Sequence, residues 1–287
     1  MPKVLSPAQV AGFDRDGFVP PIRAISPERA QYYRDRLEAF EMSYPGDRLK
    51  LDQKAHMICP WVDEMIHEAL ILDATEDLIG PNILCWGTSL RAKNPDGKTF
   101  AGWHQDTAYA DVKPIVVIVA LALSPARAEN GCIRVIPGSH RGPLLPHKET
   151  FGTDSLLSRE QYIDAAIDEA KAIDLALEPG EIALFNNAII HASKPNFGSD
   201  RRILFLLELV PTHAYQHAPR ESAILVRGSD AYHNFDVDPR PQHEMGAAEL
   251  VAWKQAVAIQ ASVLFRGAQR PPRALQGMTS GRPPGGG

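Results

Sequence analysis

The spacing of hydrophobic and polar positions changes partway along the chain. Up to about residue 80 it reads as helix. In LSPAQVAGF, Ser6 can cap, Pro7 suits the first helical position, and Gln9 stands where a capping box needs it. Leu5 and Val10 are placed to close a hydrophobic staple over that cap. The same Ser–Pro start recurs at Ser26–Pro27 and predicts a helix running to about Met42. A third helical stretch covers roughly Trp61 to Leu72, and a short turn of helix ends before Gly80–Pro81. From residue 82 the pattern shortens into runs rich in Val, Ile, Leu and Phe, at 82–93, 115–124, 132–137, 181–186, 188–193 and 202–210. NPDG, ENG, PGS, EPGE and NFGSD punctuate them. Short strands so spaced predict an all-β barrel or sandwich rather than βαβ units.

One helix is expected inside this region, at 158–171 (SREQYIDAAIDEAK), with Ser158 and Gln161 as a further capping box. Another is expected at AAELVAWKQAVAIQASVLF, ending near Gly267. Residues 268–287 are Pro/Gly-rich with almost nothing to bury, and are expected to be a disordered tail. No internal repeat is present. The expected organisation is one domain over 1–267, with a helical N-terminal part (1–80), a β core (81–211) and a helical C-terminal part (212–267).

Composition narrows the function. The chain has 287 residues, 44% of them hydrophobic, with 30 basic against 35 acidic side chains and a net charge of −5. No concentrated positive charge is available for nucleic acid. No apolar run approaches the roughly 20 residues that cross a bilayer, and MPKVLSPAQV lacks the apolar centre of a secretory signal. Three cysteines, Cys59, Cys85 and Cys132, show no CxxC spacing, which argues against a disulfide framework or a thiolate zinc site. A cytoplasmic protein acting on a small molecule is expected.

The candidate chemistry begins in FAGWHQDTAYAD. On a strand, residues two apart project from one face, so His104 and Asp106 can aim a nitrogen and an oxygen at one point. His191, at the end of the apolar run AIIHAS, supplies a third donor from a distant strand. Two imidazoles, one carboxylate and open positions are the facial triad of non-haem iron(II) oxygenases. His56 and His67 fall in helical surroundings, and His213, His217, His233 and His243 fall in a polar loop without a strand to fix them.

With those residues in view, LRAKNPDGKTFAGWHQD, ENGCIRVIPGSHR and EPGEIALFNNAIIHAS, followed by paired arginines, resemble the phytanoyl-CoA dioxygenase-like family. LSPAQVAGFDRDGFV is similar to that family's first helix and strand, and the resemblance covers about residues 5 to 211. It implies a mainly β fold with flanking helices around a double-stranded β-helix (jelly-roll, cupin-like) core. The implied activity is Fe(II)- and 2-oxoglutarate-dependent dioxygenase chemistry, with O2 as second co-substrate. Carried over by position, His104, Asp106 and His191 correspond to the iron ligands. Arg202, eleven residues after His191, matches the arginine that grips the far carboxylate of 2-oxoglutarate, and Ser193 matches a hydroxyl donating to that carboxylate. A planar guanidinium suits this task because it binds a carboxylate through two parallel hydrogen bonds. Arg201 would face the other side of its strand. Halogenating relatives replace the ligand carboxylate by a small residue; Asp106 fills that place here, so oxygen transfer is expected.

The expected reaction is hydroxylation of an unactivated carbon of a small anionic or polar metabolite (an acyl-CoA, natural product, compatible solute or phosphonate), releasing succinate and CO2. Arg91 is expected to face the cavity, toward 2-oxoglutarate or substrate, because charge inside a barrel is costly unless paired. Lys93, Trp103, Tyr109 and Arg141 are the further substrate-contact candidates, and the insertion 141–174 is long enough to cover the barrel mouth. Asn186 or Asn187 could orient the ligands. Two other readings stay open: a protein that holds metal and 2-oxoglutarate without turnover, and a cupin-type metal isomerase or hydrolase. The first predicts a missing ligand or arginine; the second has no use for Arg202.

Overall fold

Alternate residues of the strand Val117–Ala122 divide the interior in two. Val117, Val119 and Leu121 share an apolar cluster with the helical residues Phe13, Tyr33, Leu37 and Phe40. Ile118, Ala120 and Ala122 belong to a second cluster with Ile133, Val135 and Leu175 of another sheet. The period of two thus builds a layer of helices, a large sheet and a small sheet. The computed structural model describes residues 2–110, 112–150, 154–157, 159–217 and 219–268. The tail expected to be disordered lies, beyond residue 268, outside the described residues.

The helices are α1 (Pro7–Asp16), α2 (Pro27–Ser43), α3 (Pro60–Met65), α4 (Ala69–Ile79) and α5 (Ala247–Leu264). The strands are β1 (Phe18–Arg23), β2 (Ile83–Lys93), β3 (Ala101–His104), β4 (Val117–Ala122), β5 (Ile133–Val135), β6 (His147–Glu149) and β7 (Gln161–Ile163). They continue as β8 (Ile173–Leu175), β9 (Glu181–Asn186), β10 (His191–Ser193), β11 (Arg202–Pro211), β12 (Ser222–Arg227) and β13 (Asp236–Val237). The large sheet runs β1-β9-β4-β11-β2-β12-β13, the small one β3-β10-β5-β8, and β6 pairs with β7. This is the mainly β architecture with flanking helices that the sequence led one to expect. Among the described residues no helix is long and apolar enough to cross a membrane.

The N-terminal cap forms as read. Ser6 accepts from the Gln9 amide while the Gln9 side chain accepts from the Ser6 amide, and Pro7 opens the helix. Three expectations need correction. The helix expected at 158–171 is absent: Gln161–Ile163 is a strand paired with His147–Glu149, and Glu169–Lys171 is a single 3₁₀ turn. Gln161 and Ile163 are buried while Tyr162 is exposed, so pairing and a period of two override helix formers in the segment; Ser158 itself is outside the described residues. The helix expected over 61–72 is broken into α3 and α4, because the His67 ring takes the Asp63 carbonyl (2.6 Å), the acceptor its own backbone N–H would need to continue the helix. The part 212–267 is not all helical either: β12 and β13 extend the large sheet before α5 begins.

A bulge shapes the interior. Glu208 of β11 pairs with Gly87, but Leu209 pairs with Cys85, so Trp86 is the extra residue. The phase of β2 changes there, and Trp86 and Arg91 both line the central cavity. Gly180 ties β9 to the N-terminal part: its carbonyl accepts from Ala24 and Ile25, and a Cβ there would stand 2.4 Å from the Ile25 carbonyl oxygen, at φ +85°. Gly180→Ala is expected to destabilise the fold by about 2 kcal/mol, read as a lowered urea midpoint with an unchanged slope.

Candidate metal centre and its cavity

β3 and β10 pair antiparallel, with His104 directly opposite His191, and the ring centroids are 4.0 Å apart. Asp106 does not share the strand with His104, as the period-two argument assumed. β3 ends at His104 and Asp106 opens a 3₁₀ turn, Asp106–Ala108. That turn is pinned by the Asp106 N–H donating to the Asn187 carbonyl (3.0 Å). The carboxylate still arrives: Oδ1 is 3.5 Å from His104 Nε2 and Oδ2 is 3.8 Å from His191 Nε2. One donor atom from each of the three lies within 4.8 Å of the others.

The remaining ring nitrogens settle the tautomers. His104 Nδ1 is 2.8 Å from the Gly102 carbonyl and His191 Nδ1 is 3.0 Å from that of Ile189. A carbonyl can only accept, so each Nδ1 carries a hydrogen and each Nε2 is the ring atom left to bind a metal at the convergence point. Burial, with His104 close by, pushes His191 down to about 4. Burial by itself would raise the Asp106 carboxyl, but His191 and His104 outweigh it and hold the group at about 2. The centre therefore offers two imidazole Nε2 atoms and one carboxylate, the donor set that suits Fe(II). His147 is placed differently, since its Nε2 accepts the Gln105 N–H at 3.1 Å.

The same cavity continues past Ser193, Arg202 and Arg91. Arg202 stands on the inward face of β11 and is 1% exposed. One Nη donates to the Arg91 carbonyl (2.7 Å), but its Nε is buried with no hydrogen-bond partner. Burial, reinforced by Arg91, lowers Arg202 to about 9. Lys93, wholly buried, donates to Ser193 Oγ at 2.7 Å, and burial with Arg202 nearby lowers it to about 6. A buried guanidinium with an unused donor, packed beside a buried amine, forms a site short of an anion. Arg201 points outward and forms a two-pronged pair with Glu41, both contacts 2.8 Å.

Other sequence candidates divide. Tyr109 lines the cavity, and Leu157 and Gln161 of the 141–174 insertion close over it. Trp103 faces away from His104's side, with the Arg134 guanidinium 5.5 Å from its ring centre. Arg141 lies on an exposed turn and donates to the Asp14 carbonyl. Lys93 belongs to the Ser193–Arg202 end instead of the open part of the cavity. Asn187 orients Asp106 through its backbone, while Asn186 caps its own turn by accepting from the Ala188 amide. Sequence reasoning missed Asp52, Trp86, Glu208 and Glu221, which also line a cavity of about 840 Å³, open mouth included. A lone glutamate in the apolar run RILFLLELV was a usable signal for Glu208, by the reasoning applied to Arg91. Asp52 and Glu221 stand in polar stretches that give no such signal.

Comparison with known proteins bears on this arrangement. The model of the phytanoyl-CoA dioxygenase (PhyH) family matches residues 13–204. A probable alpha-ketoglutarate-dependent hypophosphite dioxygenase of Stutzerimonas stutzeri is 26% identical over 170 residues, 58% of this chain and 59% of that protein. Human peroxisomal phytanoyl-CoA dioxygenase is 34% identical over 131 residues, 44% of this chain and 39% of that one. The chain thus aligns with about half the length of these curated relatives. Among solved structures, the non-heme monooxygenase ThoJ in its apo form superposes with a TM-score of 0.80 at 29% identity, covering 91% of this chain and 99% of that one. CytC3 with Fe(II) and alpha-ketoglutarate shares the fold, with a TM-score of 0.62 at 24% identity over 85% of this chain and 95% of that one.

Proposed function

The chain belongs to the phytanoyl-CoA dioxygenase family, and from that premise we propose that it is an Fe(II)- and 2-oxoglutarate-dependent dioxygenase hydroxylating an unactivated carbon of a small polar metabolite. The observation that carries the reading is the convergence of His104, Asp106 and His191 beside a buried arginine that lacks an anionic partner. His104 and His191 would hold iron through Nε2, with their Nδ1 hydrogens kept on backbone carbonyls so that neither ring can turn. Asp106 would supply the anionic donor. When bound, the iron supplies oxygen activation coupled to decarboxylation of 2-oxoglutarate to succinate and CO2.

The remaining work falls to the chain. Arg202 would receive the far carboxylate of 2-oxoglutarate, with Nε and the free Nη as donors, and Ser193, whose oxygen accepts from Lys93, would donate its hydroxyl hydrogen to the same carboxylate. Arg91, on the inward face of β2 between the two cavity lobes, would hold the substrate end in place. Leu157 and Gln161 would exclude water from the mouth. Asp106 in the ligand place favours oxygen transfer over halogenation. A cupin-type isomerase or hydrolase would leave the buried Arg202 without employment. Cys59, Cys85 and Cys132 are buried and unbridged, which supports a reducing compartment such as the cytoplasm.

The test is succinate release on adding Fe(II), ascorbate and 2-oxoglutarate, with a panel of small polar metabolites screened for stimulation. Release that depends on both iron and 2-oxoglutarate is expected. Turnover of a metabolite with 2-oxoglutarate left out would refute the proposal.

A further inference from the structure

The cavity beyond the metal centre carries an unbalanced set of hydrogen-bonding groups. Besides Asp106, three carboxylates line it, Asp52, Glu208 and Glu221, against a single cation, Arg91. Glu221 is 1% exposed; Trp86 Nε1 donates to its Oε2 at 2.7 Å, the Gln216 side chain lies beside the carboxylate, and Oε1 is buried without a hydrogen bond of good geometry. Lys54 is near enough to be felt by that carboxylate but has nothing left to give. Its three hydrogens go to the Trp86 carbonyl, the Ser222 carbonyl and Asp238 at 2.7, 2.7 and 2.8 Å. Gln161, 7% exposed, also leaves its buried Oε1 unpartnered, as does Asp52 with Oδ1. Arg48 reaches the other Asp52 oxygen at 3.6 Å. Facing these three acceptors is one orphaned donor, Asn187 Nδ2.

Buried polar groups are normally satisfied, so a cavity with surplus acceptors describes the complement of its ligand. Ionised carboxylates accept and cannot donate. We infer that the substrate carries a protonated amine, received by Glu221 with Gln161 and Glu208, while its reacting carbon is turned toward the His104–Asp106–His191 end. The inference rests on the proposed function for the location of the reacting carbon, and on the cavity's own lining for the charge. It narrows the anionic or polar substrate expected from the sequence to a cationic one. Of Arg91, Lys93 and Arg141, only Arg91 lines this part of the cavity. Glu208 is held over Gly87, where any Cβ would lie 2.2 Å from its Oε2, so the glycine makes room for this carboxylate inside the cavity. Burial also pushes Glu221 and Glu208 up, Glu208 to about 7, against the pull of Lys54 and Arg91, so a cation seated between them would offset that cost and hold both ionised.

The experiment compares hexylamine, hexanol and hexanoate, which differ in head group at one chain length. Each is titrated calorimetrically into the protein holding Mn(II) and 2-oxoglutarate, an assembly that binds without turning over. Hexylamine is expected to bind about tenfold or more tightly than hexanol, with hexanoate weakest. Glu221→Gln and Glu208→Gln keep the shape and remove the charge, and each is expected to lower the preference about tenfold, with urea midpoints confirming folded protein. Hexanol or hexanoate binding as tightly as hexylamine overturns the inference, as does a preference that survives both substitutions. Failure of 2-oxoglutarate itself to bind the Mn(II) protein strikes the proposed function instead. The amine preference is then read against Mn(II) protein alone, with the same outcomes deciding it.

Discussion

Asp106→Ala is expected to lower iron-dependent succinate formation by more than about 100-fold. The reason lies in the donor set. His104 and His191 direct their Nε2 atoms inward, with each Nδ1 hydrogen held on a backbone carbonyl, and Asp106 is the anionic member of the cluster. Without it the centre has two neutral donors and no local charge to offset a dication. Asp106→Asn separates the two contributions, since it keeps one oxygen donor and removes the charge. Its activity should lie close to that of the alanine variant if charge dominates. The two histidines hold the ionised Asp106 carboxylate below its ordinary range, so its removal should lower the urea midpoint modestly while the protein stays folded. Full turnover by Asp106→Ala, measured as succinate per enzyme with iron in excess, would mean that the metal binds elsewhere.

The second large effect concerns Arg202. Arg202→Met keeps the aliphatic stem and removes the guanidinium, and the 2-oxoglutarate concentration needed for half-maximal turnover should rise about 100-fold. Two charge-assisted hydrogen bonds of about 1.5 kcal/mol each would account for that factor. Stability should move the other way or stay level. Arg202 is buried with an unpartnered Nε, so deleting its charge relieves a desolvation cost. Arg201 provides the contrast within the same dipeptide. It is paired with Glu41 through two 2.8 Å contacts at the surface, and Arg201→Met should lower stability slightly without altering the 2-oxoglutarate requirement. Titration of succinate formation against 2-oxoglutarate, alongside urea unfolding of both variants, checks the pair. A half-saturation point unchanged in Arg202→Met would remove the arginine from its assigned place.

The layered β fold was legible because its strands carry their burial in a period of two. Arg201 and Arg202, neighbours in sequence, fall on opposite faces for that reason, as the strand argument required. The His104–His191 pair was legible too, His104 from its spacing to Asp106 and His191 from its place after an apolar run, and the register sets the two opposite each other. Asp106 reached the site by a different route, through a turn held by the Asn187 carbonyl, which no local pattern encodes. The 158–171 segment failed because its residues are good helix formers and its strand partner, β6, lies outside the window that propensity can see. Trp86 and the bulge opposite Glu208 depend on registration between β2 and β11. Pairing of that kind is decided in three dimensions, so most of the cavity lining stayed hidden while the His104–Asp106–His191 cluster did not.

The most direct measurement is a crystal structure of the protein grown without oxygen in the presence of Mn(II) and 2-oxoglutarate, with anomalous scattering used to place the metal. A single metal peak is expected, coordinated by His104 Nε2, Asp106 and His191 Nε2, with the far carboxylate of 2-oxoglutarate on Arg202. A peak on other residues, or 2-oxoglutarate bound away from Arg202, would contradict the account.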